Sequence, residues 1–122
     1  MNKSALGQQG ETCAVEFLTR NGYRILNRNL RTKFGEIDVV ASDGNVLCFV
    51  EVKTRSTCTF GLPEEWILPE KQRRLGRLAQ WYLQYYRVRD VPVRFDVVSI
   101  LLGSNSVPTR TRLIKGAFAL EE

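Results

Sequence analysis

Between Glu36 and Thr54 two apolar, β-rich runs flank the tetrapeptide Ser42-Asp43-Gly44-Asn45. An Asp-Gly pair between such runs is the strongest short-range signal for a β-hairpin. It commits the middle of the chain to antiparallel sheet. With Asp43-Gly44 as the turn, Ser42 faces Asn45 and Glu36 stands opposite Glu51. One face of the ribbon then carries Ile37, Val39, Ala41, Val46, Cys48, Val50 and Val52, all small or apolar. The other carries Glu36, Asp38, Val40, Leu47, Phe49, Glu51 and Lys53. Both faces are apolar near the turn, so the ribbon is expected to be covered on both sides.

The open end of the second face concentrates three carboxylates and one ammonium. In this register Asp38 is the diagonal neighbour of Glu51, at about 7 to 8 Å, and like charges so placed destabilise a sheet. Folding alone does not ask for them. A divalent cation reverses the penalty, because Mg²⁺ takes one or two carboxylates, keeps several waters and binds substrate phosphates. Lys53 then points a second cation at whatever the metal holds, to orient or deprotonate an attacking water or to stabilise a pentacovalent phosphate. The alternative is a solvated strand end whose ion pairs are worth under about 1 kcal/mol.

Upstream, Leu6, Gly10, Cys13, Ala14, Phe17 and Leu18 share a helical stripe, Ser4 can cap its start and Gly22 follows where a C-terminal stop belongs. A helix is predicted over about residues 4 to 21. Gly7 and Gly10 leave a flat surface on it, fit to admit a phosphate or a strand. Tyr23 to Leu30 is β-rich. After a Ser-, Thr-, Gly- and Pro-containing loop at Arg55 to Pro63, Pro69 opens a second helix with the stripe Leu75, Leu78, Ala79, Tyr82, Leu83 and Tyr86. Val93 to Leu101 reads as a buried strand, and Arg112 to Leu120 as a further edge strand. The order is helix, three strands, helix, strand, and the helical crossover makes the strands on either side of it parallel. The fold class is α+β, a mixed sheet with helices packed on it, in one domain spanning 1–122.

Lys and Arg number 18 against 13 Asp and Glu, a formal charge of +5 and a pI near 9.4, which favours a polyanionic partner. From Lys71 to Arg94 the cations Lys71, Arg73, Arg74, Arg77, Arg87, Arg89 and Arg94 face one acid, Asp90. That is the footprint of a phosphate backbone. Arg74, Arg77, Trp81 and Tyr85 share an outward stripe; a Trp there stacks on an unpaired base, is buried in a dimer interface, or is one chance aromatic on a solvated basic helix. Lys71 projects within about 50° of the buried stripe, either as a phosphate contact or with its stem snorkelling to solvent. Glu11 lies about 100° from the centre of the first helix's stripe, a boundary position.

No histidine is present, which removes imidazole-based triads, His-ligated zinc and His-based nucleases. Cys13, Cys48 and Cys58 are odd in number and widely spaced, without the C-x-x-C spacing of zinc or redox sites. A reducing, cytoplasmic setting is expected, with no signal peptide and no membrane span.

Gly35-Glu36-Ile37-Asp38, a hairpin, then Glu51-Val52-Lys53-Thr54-Arg55 resembles the PD-(D/E)xK nuclease motif. With Gly10-Glu11, Arg28-Asn29, the Phe60-Gly61 to Glu64-Glu65 stretch, Lys71-Gln72-Arg73-Arg74-Leu75 and Arg94-Phe95-Asp96-Val97-Val98, most of the chain resembles the YraN family. That bacterial group is similar to archaeal-type Holliday junction resolvases. The resemblance implies a restriction-endonuclease-like αβββαβ core and a metal-dependent DNA endonuclease using Mg²⁺ or Mn²⁺, with branched DNA as the substrate class and a two-fold homodimer as the assembly. It implies Asp38 and Glu51 as metal ligands, Lys53 as catalytic lysine and Glu11 as a helix-borne acid that joins the metal. Arg55 with Lys71, Arg73, Arg74 and Arg77 would contact nucleic acid. The chain departs from the pattern at Gly116, where Asn is expected before Ala117-Phe118. The competing readings are a non-catalytic nucleic-acid-binding module acting with a partner, and a scaffold docking its basic helix on an acidic protein.

Overall fold

The structure, a computed structural model, describes residues 5–55, 68–103 and 107–118. Ser4, the Phe60 to Glu65 stretch and Cys58 lie outside the described residues. Helix α1 (Ala5–Arg20) is followed by strands β1 (Arg24–Thr32), β2 (Gly35–Asp43) and β3 (Val46–Arg55), helix α2 (Pro69–Tyr85), and strands β4 (Val93–Leu102) and β5 (Pro108–Phe118). The strands form one sheet in the order β1-β2-β3-β4-β5. The β3–β4 pair is parallel and the other pairs are antiparallel. This mixed-sheet α+β arrangement is consistent with a restriction-endonuclease-like core.

Helix α1 stops because Gly22, at φ +88°, lets the chain reverse: Tyr23 N–H donates to Leu18 C=O at 3.0 Å and Gly22 N–H to Thr19 C=O at 3.1 Å, a Schellman closure. Helix α2 starts at Pro69, whose fixed φ suits the first turn. It closes in the same manner without a glycine, since Val88 N–H reaches Leu83 C=O at 2.9 Å while Arg87 takes φ +54°.

The two helices cover opposite faces, as the two-sided apolar ribbon requires. Ala14, Leu18 and Tyr23 pack on Val39, Ala41, Cys48, Val50, Val98, Ile100 and Leu102. On the other side Leu75, Leu78, Ala79 and Tyr82 pack on Val40, Leu47, Phe49, Phe95 and Val97. Ile37 belongs to this α2-side group rather than with Val39, where strict alternation put it.

The hairpin register differs from expectation by one residue on each strand. Asp43 pairs with Val46 and Val39 with Val50, so Gly44-Asn45 forms the turn rather than Asp43-Gly44. The expected turn needs a left-handed backbone at Asp43, whereas a type II′ turn needs it only at its first central residue, and that residue is Gly44 at φ +62°. The shift preserves which residues share a face. It changes which acids meet: continued past Val39, the register sets Asp38, not Glu36, beside Glu51.

The flat surface at Gly10 is not open. Gly10 is buried, and a Cβ there would come within 2.7 Å of both Cβ and Cγ2 of Thr54. The glycine admits a strand of its own chain. The tail strand exists but begins at Pro108, ahead of the expected Arg112.

Candidate active site

The paired ladder of β2 and β3 runs from the turn to Val39–Val50. Just beyond it, the Asp38 carboxylate accepts the Val52 backbone N–H at 2.8 Å. Glu51, on β3, is 9% exposed. Its Oε1 accepts Lys71 Nζ at 3.0 Å and lies 3.9 Å from Lys53 Nζ, while its Oε2 is buried with no hydrogen-bond partner. An unsatisfied buried carboxylate oxygen is costly and calls for a functional reason.

Asp38, Glu51 and Lys71 open into a cleft of about 230 Å³ whose walls also include Phe34, Glu36 and Arg74. Lys71 comes from the first turn of α2, where unpaired N–H groups add a partial positive charge. Burial, then the nearby Asp38 charge, pushes the Glu51 carboxyl above its ordinary range, and Lys71 and Lys53 pull against that rise. Burial pushes the Lys53 ammonium below its ordinary range against the pull of Glu51, with Lys71 adding like-charge repulsion. A carboxyl pushed up and an ammonium pushed down, 3.9 Å apart, are the kind of perturbed pair that clusters at functional sites.

The structure brings Asp38, Glu51, Lys53 and Lys71 together. Glu36 lies at the rim, 3.4 Å from Arg31, in an ion pair with both side chains half exposed. Glu11 is 2% exposed. Its Oε1 accepts Arg28 Nε and Nη2 at 3.2 Å and Asn29 Nδ2 at 2.9 Å, and Asn29 sits at φ +52°. Among the described residues no three Asp, Glu, Cys or His side chains are grouped to hold a metal. Arg55 ends β3, half-buried, and Arg73, Arg74 and Arg77 are exposed along α2.

A second ionic centre, which spacing does not reveal, lies on the α1 side of the sheet, where Asp96 pairs with Val50, the residue before Glu51. Asp96 is buried and accepts Tyr23 Oη at 2.9 Å, Arg94 Nε at 2.8 Å, Arg94 Nη2 at 3.0 Å and the Gly116 N–H at 3.0 Å. Arg94 and Lys115 also hold Asp43, at 2.8 and 3.2 Å. The Arg94 hydrogen bond, then that of Lys115, lowers the Asp43 carboxyl below its ordinary range. Every oxygen of Asp96 is satisfied, which marks a structural tie between β4, β5 and the start of β1. Gly116 sits at φ +64° and contributes its backbone N–H. That explains how it stands where Asn was expected, since Asn also tolerates this conformation.

The sequence model of "Uncharacterised protein family UPF0102" matches residues 10–100. A UPF0102 protein of Caldicellulosiruptor saccharolyticus is 47% identical over 97% of this chain and 100% of its own length. Another, from Symbiobacterium thermophilum, is 50% identical over 93% of this chain and 95% of its own, and one from Dictyoglomus turgidum is 40% identical over 97% and 100%. The match takes in Glu11, Asp38, Glu51, Lys53, Lys71 and Arg94, and the chain belongs to UPF0102, the YraN family.

Proposed function

We propose that the protein is a metal-dependent DNA endonuclease that hydrolyses phosphodiester bonds, with Asp38, Glu51 and Lys53 as its catalytic group. The observation that carries this reading is the buried, unpartnered Oε2 of Glu51 beside Asp38 in a cleft lined by cations. Asp38 and Glu51 fit Mg²⁺ or Mn²⁺ as a pair of hard oxygen donors, since Mg²⁺ asks for no more than one or two carboxylates from a protein. When bound, such an ion activates a water and neutralises charge on the phosphate.

The chain's own residues do the rest. Lys71 holds the Glu51 carboxylate through Oε1, and Asp38 is oriented by the Val52 N–H. Lys53, with its proton affinity lowered by burial, takes a proton from the attacking water as the neutral amine, or as the ammonium stabilises the charge that develops on the phosphate oxygens. Arg74, on the cleft wall, anchors a neighbouring phosphate. Branched DNA as substrate and a two-fold homodimer extend the proposal through the family's likeness to junction resolvases.

A non-catalytic nucleic-acid-binding module of the same fold, acting with a partner, is the second reading. It draws on the Lys71–Glu51 ion pair, which already neutralises one carboxylate. One assay separates the two: cleavage of four-way, flapped, duplex and single-stranded DNA with and without Mg²⁺ or Mn²⁺, by wild type, Asp38→Asn and Lys53→Ala. The nuclease reading expects metal-dependent cutting that falls on the order of a hundredfold or more in both variants. Asn keeps a carbonyl oxygen for the Val52 N–H, so Asp38→Asn should fold. Variants that cut like wild type sink the proposed site. No cutting, with tight, salt-sensitive, magnesium-indifferent binding to one DNA shape, moves the assignment to the binding module.

A further inference from the structure

Helix α2 ends in a cluster of aromatic rings that the core uses only in part: Trp81, expected to face outward, is half-buried against the α2-side core, and Tyr86 lies 4.4 Å from Tyr82. Tyr86, expected on the buried stripe, is 44% exposed, and Tyr85 is 65% exposed. Trp81 and Tyr85 lie parallel, with centroids 4.8 Å apart and planes at 16°. Tyr86 meets Tyr85 edge-on at 5.0 Å. Tyr85 is thus the exposed ring of a two-ring stack.

The same helix carries exposed Arg74 and Arg77 toward its start, and exposed Arg87 and Arg89 follow its end. Asp90 is the one acid between residues 71 and 94. Two copies of such a surface would bring cations against cations, whereas a polyanion complements it. Arg74 also lines the cleft that holds Asp38 and Glu51. From Arg74 to Tyr85 the helix rises about 16 Å, the length of about five stacked nucleotides of one strand.

We propose that the Trp81–Tyr85–Tyr86 cluster is a stacking platform for an unpaired base of a nucleic-acid strand whose phosphates follow Arg77 and Arg74 toward the cleft. A base inside a duplex has both faces covered by its neighbours, so only an unpaired one can extend the stack on Tyr85. The inference rests on the nuclease or binding-module reading only in taking the cleft as a place for phosphate. It narrows the substrate class to nucleic acid with a single-stranded segment within a few nucleotides of the site.

The test is equilibrium binding, without divalent metal, of a fluorescent oligothymidylate and of a duplex of the same length to wild type, Tyr85→Ala and Tyr85→Phe. Tyr85→Ala is expected to weaken single-strand binding about five- to a hundredfold, leaving duplex binding unchanged, and Tyr85→Phe to keep wild-type affinity for both. Equal loss on both probes, or no loss on either, overturns the platform. So does sedimentation equilibrium showing a dimer that Tyr85→Ala splits, because the rings would then serve a second copy of the chain. Since no metal is present, failure of Asp38-dependent cutting and failure of Tyr85-dependent binding are read separately.

Discussion

Tyr23 shows how a single hydroxyl can hold a buried charge in place. Its Oη donates to Asp96 Oδ2 at 2.9 Å and accepts from Arg94 Nη2 at 2.9 Å. Burial first, and the Asp96 charge second, push its pKa well above the usual tyrosine range. The folded state therefore keeps the phenolic proton at pH values where the unfolded chain has lost it. The associated stability is complete below about pH 10 and declines as pH rises beyond it. Tyr23→Phe is expected to cost about 1.5 to 3 kcal/mol near neutral pH, the worth of a hydrogen bond to a charged group. It should also flatten the alkaline fall in stability, so urea denaturation at neutral and alkaline pH will show a gap to wild type that narrows at the alkaline end. A gap that is constant with pH would mean that the phenol does not titrate with folding. Asp38, Glu51 and Lys53 were legible in the sequence as a charge cluster on one strand face. Lys71's inward projection was legible too, but its choice of Glu51 as partner was not.

Helix α1 can approach β3 only because residue 10 has no side chain. In Gly10→Ala the new Cβ would lie 2.7 Å from Cβ and Cγ2 of Thr54, and a β-branched side chain has little freedom to move away. The helix or the strand must shift. A loss of about 1 to 3 kcal/mol is expected from overpacking, against the roughly 1 kcal/mol by which Ala outdoes Gly as a helix former. Thr54→Ala removes Oγ1 and Cγ2, so it should cost less in the Gly10→Ala background than in wild type, a coupling that a double-mutant cycle measures. A more stable Gly10→Ala protein would show that α1 does not touch β3 there. The elements themselves were readable. Periodicity placed α1 over residues 4 to 21 against the observed Ala5–Arg20, and Pro69 marked the start of α2. The hairpin was readable but its register was not, because Asp43-Gly44 and Gly44-Asn45 are both acceptable turns and backbone twist selects between them.

The charge of the whole molecule, +5, bears on association rather than on the fold. With Arg73, Arg74 and Arg77 exposed along α2, nucleic-acid affinity should fall as a power of salt concentration. Arg77→Ala should reduce the log-log slope for duplex DNA by about 0.9, one phosphate contact. Titrations across a salt series test this, and an unchanged slope would remove Arg77 from the interface. No helix among the described residues is long and apolar enough to cross a membrane. The sequence by itself determined the order of elements, the coverage of the ribbon on both faces and the residues of the acid–lysine cluster, because these follow from local periodicity, turn chemistry and residue identity. Only the tertiary structure decided that Asp38 rather than Glu36 lies beside Glu51, that Lys71 crosses from α2 to Glu51, that Glu11 turns to Arg28 and Asn29, and that Asp96 gathers Tyr23, Arg94 and Gly116. Those contacts join residues far apart in the chain, and their geometry is set by sheet register and by the height at which each helix rests on the sheet, which no local pattern encodes.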